Sequence, residues 1–482
     1  MESSQTPLQF SMDFSGDNPL VSRLRNGEFF LLIECNTSPL EQPLEASLTL
    51  ARSVARKISD VPEVVGMAVT DRLRTEDTHD PVETAARLAE ASGKPPVVYL
   101  SGKGSSEERI REILARARSE GIRSIVAVTG DRSEKHTATG RSGGRVPPYP
   151  AGYLDSVDIL RLASASGDGL CLGAGVNPFK YNPSDQYLQY FKMMRKLDAG
   201  SEFLVTHAGW DMKKLQELQW YLQMRDVGNP VIARLALLSL DDIARIHDGL
   251  HPGVHVARSF AAVLQRESNV NATQSLSAQL HRLGLQVAGC RLLGYNGVQI
   301  AGLRDGHHLD MVLMRINEAL ETYDAFDTWV NAWNDYHNFL SFEPISDAYY
   351  VFDGLLNGET VRFDPEQCHL TDRSLPEPAV GDRALHAVLS TLLGEGWPEV
   401  IGESLAGAVE RVCGVPRDHL RECFFLSPSA CPKRLIHGAC GGSQPDGTCE
   451  FGQARCFFQR VMALAAHSHE LDSLEEGPKG DG

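Results

Sequence analysis

The chain reads as a parallel β/α fold that closes into a (β/α)8 barrel, and three observations lead there. Short apolar runs alternate with longer amphipathic segments from residue 28 to about residue 320. The runs are apolar on both faces, as strands covered by helices must be. There are eight of them, which favours a closed barrel over an open doubly wound sheet. The open sheet stays as the second reading.

In chain order the strands are expected at FFLLIEC (29–35), VVGMAVT (64–70), PVVYLS (96–101), SIVAVTG (124–130), LCLGAGV (170–176), EFLVTHA (202–208), PVIARLA (230–236) and QVAGCRL (286–292). Between them, LEASLTLARSVARKI, DPVETAARLAEA, SSEERIREILARARSEG, SDQYLQYFKMMRKLDAG and DMKKLQELQWYLQMRD carry helical periodicity, most behind an N-cap residue. The glycine pattern GAGVNP at 173–178 lacks the third glycine of a dinucleotide fingerprint and runs into Pro178. SGKGSSEE, after the third strand, is either a phosphate cradle at a helix N-terminus or a plain loop. The loop after Asp131, RSEKHTATGRSGGRVPPYPAGY, exceeds the roughly two to six residues usual for such a connection. It reads as a lid, as a cationic wall for an anionic ligand, or as a surface insertion.

After residue 322 the rhythm changes to the aromatic-rich YDAFDTWVNAWNDYHNFLSFEP, so a second domain is expected. The divisions are a barrel over 20–322, a smaller α+β Cys-rich metal-binding domain over 323–470 and a disordered tail over 471–482. A net charge of −17 argues against a nucleic-acid or anionic-membrane partner. No apolar run reaches the length of a membrane span, and the N-terminus lacks a secretory pattern, so a cytoplasmic protein is expected. In a reducing compartment ten cysteines point to metal or redox chemistry before disulfides.

In a barrel, polar residues ending the strands converge on one mouth. They are Glu34, Thr70 and Asp71, Asp131, Asn177 and His207. Glu34 closes an apolar run; buried and unpaired it would hold its proton more tightly and suit a general acid, or it turns to solvent beside Asn36. Asp131 is a site carboxylate or an ordinary turn residue after Gly130. His207 is a site residue or a satisfied core histidine, and Arg195-Lys196 is a phosphate site or a solvated face. Near the C-terminus Cys431, Cys440, Cys449 and Cys456 follow C-x8-C-x8-C-x6-C, interleaved with glycines that would let the backbone wrap an ion. Soft thiolates select zinc or an iron–sulfur cluster, although the spacing is not that of a zinc ribbon; unligated cysteines are the alternative. Cys413 and Cys423 could add ligands, whereas Cys35, Cys171 and Cys290 read as core residues.

The series IE at strand one, VTD at strand two, VAVTGD at strand four and FKMMRKLDAGSEFLVTHAGWD across the helix before strand six resembles the methylenetetrahydrofolate reductase family over roughly residues 25–320. The Cys-rich block resembles the C-terminal domain that accompanies some bacterial members. The resemblance implies a flavoprotein with FAD, or FMN, that passes a hydride to 5,10-methylenetetrahydrofolate and yields 5-methyltetrahydrofolate. It makes Glu34 the acid that opens the imidazolidine ring, and it sets Asp131 near flavin and pterin as a charge facing the iminium. His207 stands where the family has a glutamine. Thr70, Tyr99, Gly130, Asp131, Tyr153, Asn177, Arg195 and Lys196 fall on flavin-contacting positions, the two cations meeting its phosphates. Zinc or a [4Fe-4S] cluster is implied at Cys431, Cys440, Cys449 and Cys456, a cluster there feeding the flavin electrons. The expected partners are a folate, an electron-donor protein or NAD(P)H, and a second copy of the chain. Two alternatives stay open: the same chemistry run oxidatively in a demethylation pathway, and a non-catalytic subunit binding folate or a corrinoid protein. The chain departs from the family at Cys35-Asn36-Thr37-Ser38-Pro39, at His207 and at Asp241, positions that hold folate and nicotinamide.

Overall fold

A computed structural model describes residues 18–70, 78–131, 153–167, 169–337, 340, 342–357, 359–393, 399–452 and 454–476. Asp71 and most of the long loop after Asp131 lie outside these residues. Eight parallel strands close in the order β1 to β8. They are β1 Phe30–Asn36, β2 Val64–Thr70, β3 Val97–Ser101, β4 Ser124–Val128, β5 Cys171–Val176, β6 Phe203–Thr206, β7 Val231–Ala236 and β8 Gly297–Ala301. Seven coincide with the expected runs to within a few residues. The eighth does not: QVAGCRL is the last part of a helix, Ala272–Leu292, and the closing strand is GVQIA. That helix is buried around its whole circumference near its end, from Leu283 to Cys290, so its apolar run carries no periodicity to separate it from a buried strand.

Strand parity sets what reaches the mouth. Phe30 and Leu32 of β1, Val97 and Tyr99 of β3, Val126 of β4, Phe203 and Val205 of β6 and Ile232 of β7 form an inner core separate from the packing outside the barrel. Leu20 and Leu24 of the helix Pro19–Asn26 join that core. Gly173 of β5 leaves room for it, since a Cβ there would lie 2.4 Å from the Phe203 ring. Two residues further along each strand, the same period carries Glu34, Ser101, His207 and Arg234 inward.

The helices outside begin where capping chemistry predicts. Asp80, Ser106, Asn182 and Asp211 each accept hydrogen bonds from first-turn amides of the helices Pro81–Ser92, Glu107–Ser119, Pro183–Asp198 and Met212–Met224. The expected helix over 44–58 is divided at Leu48 into Leu44–Ser47 and Thr49–Ile58.

Beyond the helix Gly306–Thr322, the described residues form helices and irregular segments, with two isolated bridges in place of the expected sheet. This half shares its core with the barrel. Phe457 and Met462 of the helix Phe457–His467 and Cys423 belong to the same buried cluster as Leu188 and Phe191. The expected disordered tail is corrected over its first half: Leu471–Glu476 is a helix with Leu474 buried, because Glu475 pairs with Arg225 and the Ser473 carbonyl accepts from Arg195.

A buried polar knot fastens the segment after residue 342 to the barrel. Lys214 and Glu217 are both fully buried and paired at 3.1 Å. Lys214 also donates to the Tyr349 carbonyl at 2.7 Å, while Glu217 accepts from the Val351 amide at 2.6 Å and the Tyr190 hydroxyl at 2.9 Å. Removing one partner strands the other charge in the core. Glu217→Ala is therefore expected to destabilise the fold by about 3–5 kcal/mol, read as a lowered midpoint of denaturant unfolding.

Candidate functional site

The C-terminal ends of the strands open on a cavity of about 680 Å³, a volume suited to a cofactor or substrate. Glu34, Thr70, Tyr99, Gly130, Asp131, Asn177, Lys196 and His207 all line it. Two expected residues do not. Tyr153 braces the end of β4 from outside, its hydroxyl donating to the Asp131 carbonyl at 3.1 Å and its ring edge-on to Phe451. Arg195 is 7% exposed and donates to Glu422 and to the Ser473 carbonyl. Its charge is already matched inside the fold, which removes the reason to expect a phosphate there.

Among the lining residues the electrostatics differ sharply. Burial, then Arg234 and Lys180, hold His207 down to about 3, so its imidazole is neutral at ordinary pH. Its buried Nδ1 has no hydrogen-bond partner among the described residues. Protein crowding around Asp131, and then the nearby Glu450, raise its carboxyl to about 6, with Lys433, Lys103 and Arg234 pulling the other way. Lys196 donates to the Gly175 carbonyl and is lowered to about 7 by burial and by Lys192. Gly130 has φ +87° and no space for a side chain, since a Cβ would meet Ser101 Oγ at 2.3 Å.

Glu34 is buried, as expected, but not unpaired. Arg234 of β7 donates through Nε and Nη2 to its two oxygens at 2.6 Å each, and Gln299 of β8 donates to Oε2 at 2.7 Å. A bidentate guanidinium is the partner of an ionised carboxylate, where the sequence offered a buried unpaired Glu34 or one turned to solvent. Sequence reasoning missed Arg234 and Gln299, although both occupy the inward parity of their strands.

Part of the wall comes from the far end of the chain. Cys440, Gly441 and Gly442 line the cavity. The backbone from Gly438 to Ser443 lies against the corner of β5 and the helix Pro183–Asp198, where its carbonyls accept from buried side chains. Lys192 donates to Gly438 at 3.1 Å, Gln189 to Ala439 at 3.3 Å, Asn177 to Gly441 at 2.9 Å and Lys180 to Ser443 at 2.7 Å. Lys433 donates to the Gly130 carbonyl at 2.7 Å and pairs with Glu450.

The four cysteines expected as ligands share this neighbourhood without closing on a point. Among the described residues no three Cys, His, Asp or Glu side chains are grouped closely enough to hold an ion. Burial raises Cys440 to about 12, Cys449 to about 11, and Cys431 and Cys456 above the usual thiol range. In this arrangement the four thiols are protonated and do not form a closed ligand set among the described residues.

Docking of this segment is pH-linked through His437, whose side chain is 4% exposed. Burial opposes its charge, but the carboxylates of Asp158 at 2.9 Å and Glu422 at 3.6 Å raise it from 6.5 to about 9. A group whose folded pKa lies above its unfolded one stabilises fully below the unfolded value and loses that contribution as pH rises through the folded value. Stability is expected to fall by on the order of 1–3 kcal/mol between pH 6.5 and about 9, and His437→Gln to remove that slope, as followed by denaturant unfolding across this range.

Comparison with known proteins agrees with this geometry. Residues 22–280 match the family model described as methylenetetrahydrofolate reductase, and residues 407–479 match one described as methylene-tetrahydrofolate reductase C terminal. Methylenetetrahydrofolate reductase 1 of Schizosaccharomyces pombe is 28% identical over 134 residues, 27% of this chain and 20% of that protein. A 5,10-methylenetetrahydrofolate reductase of Pectobacterium carotovorum is 25% identical over 190 residues, 39% of this chain and 55% of that one. The chain thus spans about half or less of the length of these relatives. With the family model covering more than half of its residues, on a closed eight-stranded barrel, the chain belongs to the methylenetetrahydrofolate reductase family.

Proposed function

We propose that the chain reduces 5,10-methylenetetrahydrofolate to 5-methyltetrahydrofolate with a bound flavin, FAD or FMN. The observation that carries this reading is the meeting of Glu34, Asp131 and His207 at one cavity in a chain of this family. A flavin bound there would supply the hydride, with Thr70, Gly130, Asp131 and Lys196 holding it. The cavity suits such a group in size, Gly130 gives it close backbone approach, and the unpartnered His207 Nδ1 offers a ligand a hydrogen-bonding position.

The protein's own part is acid catalysis and charge stabilisation. Glu34, once protonated, gives its proton to the folate nitrogen that leaves as the imidazolidine ring opens, and the methylene carbon remains as an iminium. Asp131, ionised above about pH 6, faces that cation. His207, kept neutral, donates from one ring nitrogen and accepts at the other without adding a second positive charge. The same groups serve the oxidative direction on 5-methyltetrahydrofolate. Tyr99 and Asn177 shape the wall, their polar ends committed to Gln299 and to the Gly253 and Gly441 carbonyls. The C-terminal segment acts in this reading as part of the wall.

Incubation of the purified protein with FAD or FMN, followed by desalting, is expected to leave a yellow protein with flavin absorbance; a colourless protein after both overturns the reading. Glu34→Gln should keep the flavin spectrum and lower kcat/KM for the folate by about 10²–10⁴. Folate binding without turnover in the unsubstituted protein would instead support the binding-subunit alternative.

A further inference from the structure

One strong cation in the cavity wall has no part in the mechanism above. Arg234 sits in the middle of VIARLA on β7, and its inward parity carries it to the same level as Glu34. Its Nε and Nη2 close a fork on the two Glu34 oxygens, 2.6 Å each. Its own amide donates to Thr206 Oγ1 at 2.9 Å, which ties β7 to β6 at that height. From β8, fully buried Gln299 donates to Glu34 Oε2 at 2.7 Å while its Oε1 accepts from the Tyr99 hydroxyl of β3 at 2.7 Å. Residues of five strands thus form one network around a single carboxylate.

The two ends of the ion pair are not equally accessible. The Glu34 side chain is 1% exposed and that of Arg234 is 24% exposed. A ligand entering the cavity meets the guanidinium first and the carboxylate behind it. An ionised carboxylate held in a bidentate fork is a poor proton donor, because taking up a proton sacrifices two charge-assisted hydrogen bonds. We propose that Arg234 is a positioning residue that acts through Glu34: it holds the carboxylate in its charged form, and Glu34 becomes a proton donor only when a ligand group with hydrogen-bond acceptors draws the guanidinium away. This rests on the reading of Glu34 as the acid of the site.

Among the described residues, the titratable or charged groups around the pair are few. β1 adds Cys35, pushed up to about 12 by burial and then by Glu34. β3 adds Tyr99, raised above its usual range by burial, and β6 is followed by His207, lowered to about 3. None of these changes charge near neutrality. Asp131, after β4, is raised to about 6 and acts on Arg234, and Lys196 on the same cavity is lowered to about 7; of the two only Asp131 carries a carboxyl that could be mistaken for Glu34 in the infrared.

The test compares the flavin-loaded protein with Arg234→Gln and Arg234→Lys, each also in an Asp131→Asn background. Difference infrared spectra against the matching Glu34→Gln variant read the carboxyl band of Glu34 directly. Loss of the guanidinium is expected to raise the titration midpoint of that band by about 1–3 pH units, with Arg234→Lys in between. The pH limb of kcat/KM assigned to Glu34 should move by the same amount, and Asp131→Asn should not abolish the shift. Superimposable midpoints in all three proteins overturn the proposal, as does a fall in kcat with an unmoved midpoint, which would make Arg234 merely structural. If Arg234→Gln does not fold, Arg234→Lys alone decides by the same criterion. The infrared reading needs no turnover, so a protein inactive on folate would sink the reductase reading and leave this test standing.

Discussion

Much of this structure depends on backbone carbonyls accepting from buried side chains. Four of them, from Gly438 to Ser443, meet Lys192, Gln189, Asn177 and Lys180, and so bring the end of the chain to the rim of the barrel. Lys180 and Lys192 are almost wholly inaccessible to solvent, and an ammonium without partners there would cost several kcal/mol. Lys192 has Asp155 at 2.8 Å, and although burial works against it, Lys192 and His437 hold that carboxyl down to about 2. The cap is therefore an integral part of the barrel's polar interior. Without it Lys180, Lys192, Gln189 and Asn177 would each lose a carbonyl acceptor.

Glycine makes that contact geometrically possible. Gly438 and Gly441 lie in the left-handed region, and a Cβ on Gly441 would stand 2.8 Å from Gln189 Oε1. On Gly442 it would stand 2.5 Å from Glu450 Oε1. The glycines between the cysteines let the backbone lie flat against the barrel, where the spacing alone suggested a loop wrapped around an ion. The same contacts reassign the basic pair of the helix Pro183–Asp198: Arg195 is matched by Glu422, and Lys196 alone reaches the cavity.

Most of the barrel was legible because its cause is local. A strand buried on both faces must be apolar along its length, and seven runs of that kind fall on strands. The eighth failed for the same reason, since the end of Ala272–Leu292 is buried all round and a fully buried helix imitates a buried strand. Within the site, Glu34, Thr70, Asp131, Asn177 and His207 were visible as polar residues ending apolar runs. Arg234 was not, because it lies inside a run whose other members are apolar, nor was Gln299, which lies on the closing strand that the apolar runs did not mark; only the parity of neighbouring strands shows that they face the same carboxylate.

What the sequence by itself determined is seven of the eight strands, the mouth on which their polar ends converge, and the family to which that pattern belongs. These follow from periodicity and burial, which act over a few residues. What only the tertiary structure decided is the partner of each charge: Arg234 for Glu34, Glu422 for Arg195, the carbonyls of the cap for Lys180 and Lys192. Those pairings join residues 200 to more than 260 positions apart. Electrostatic strength depends on distance and burial in space, to which spacing along the chain is blind. The sequence could single out Glu34 at the mouth of the barrel, but the partners of its carboxylate, Arg234 and Gln299, come from across the barrel.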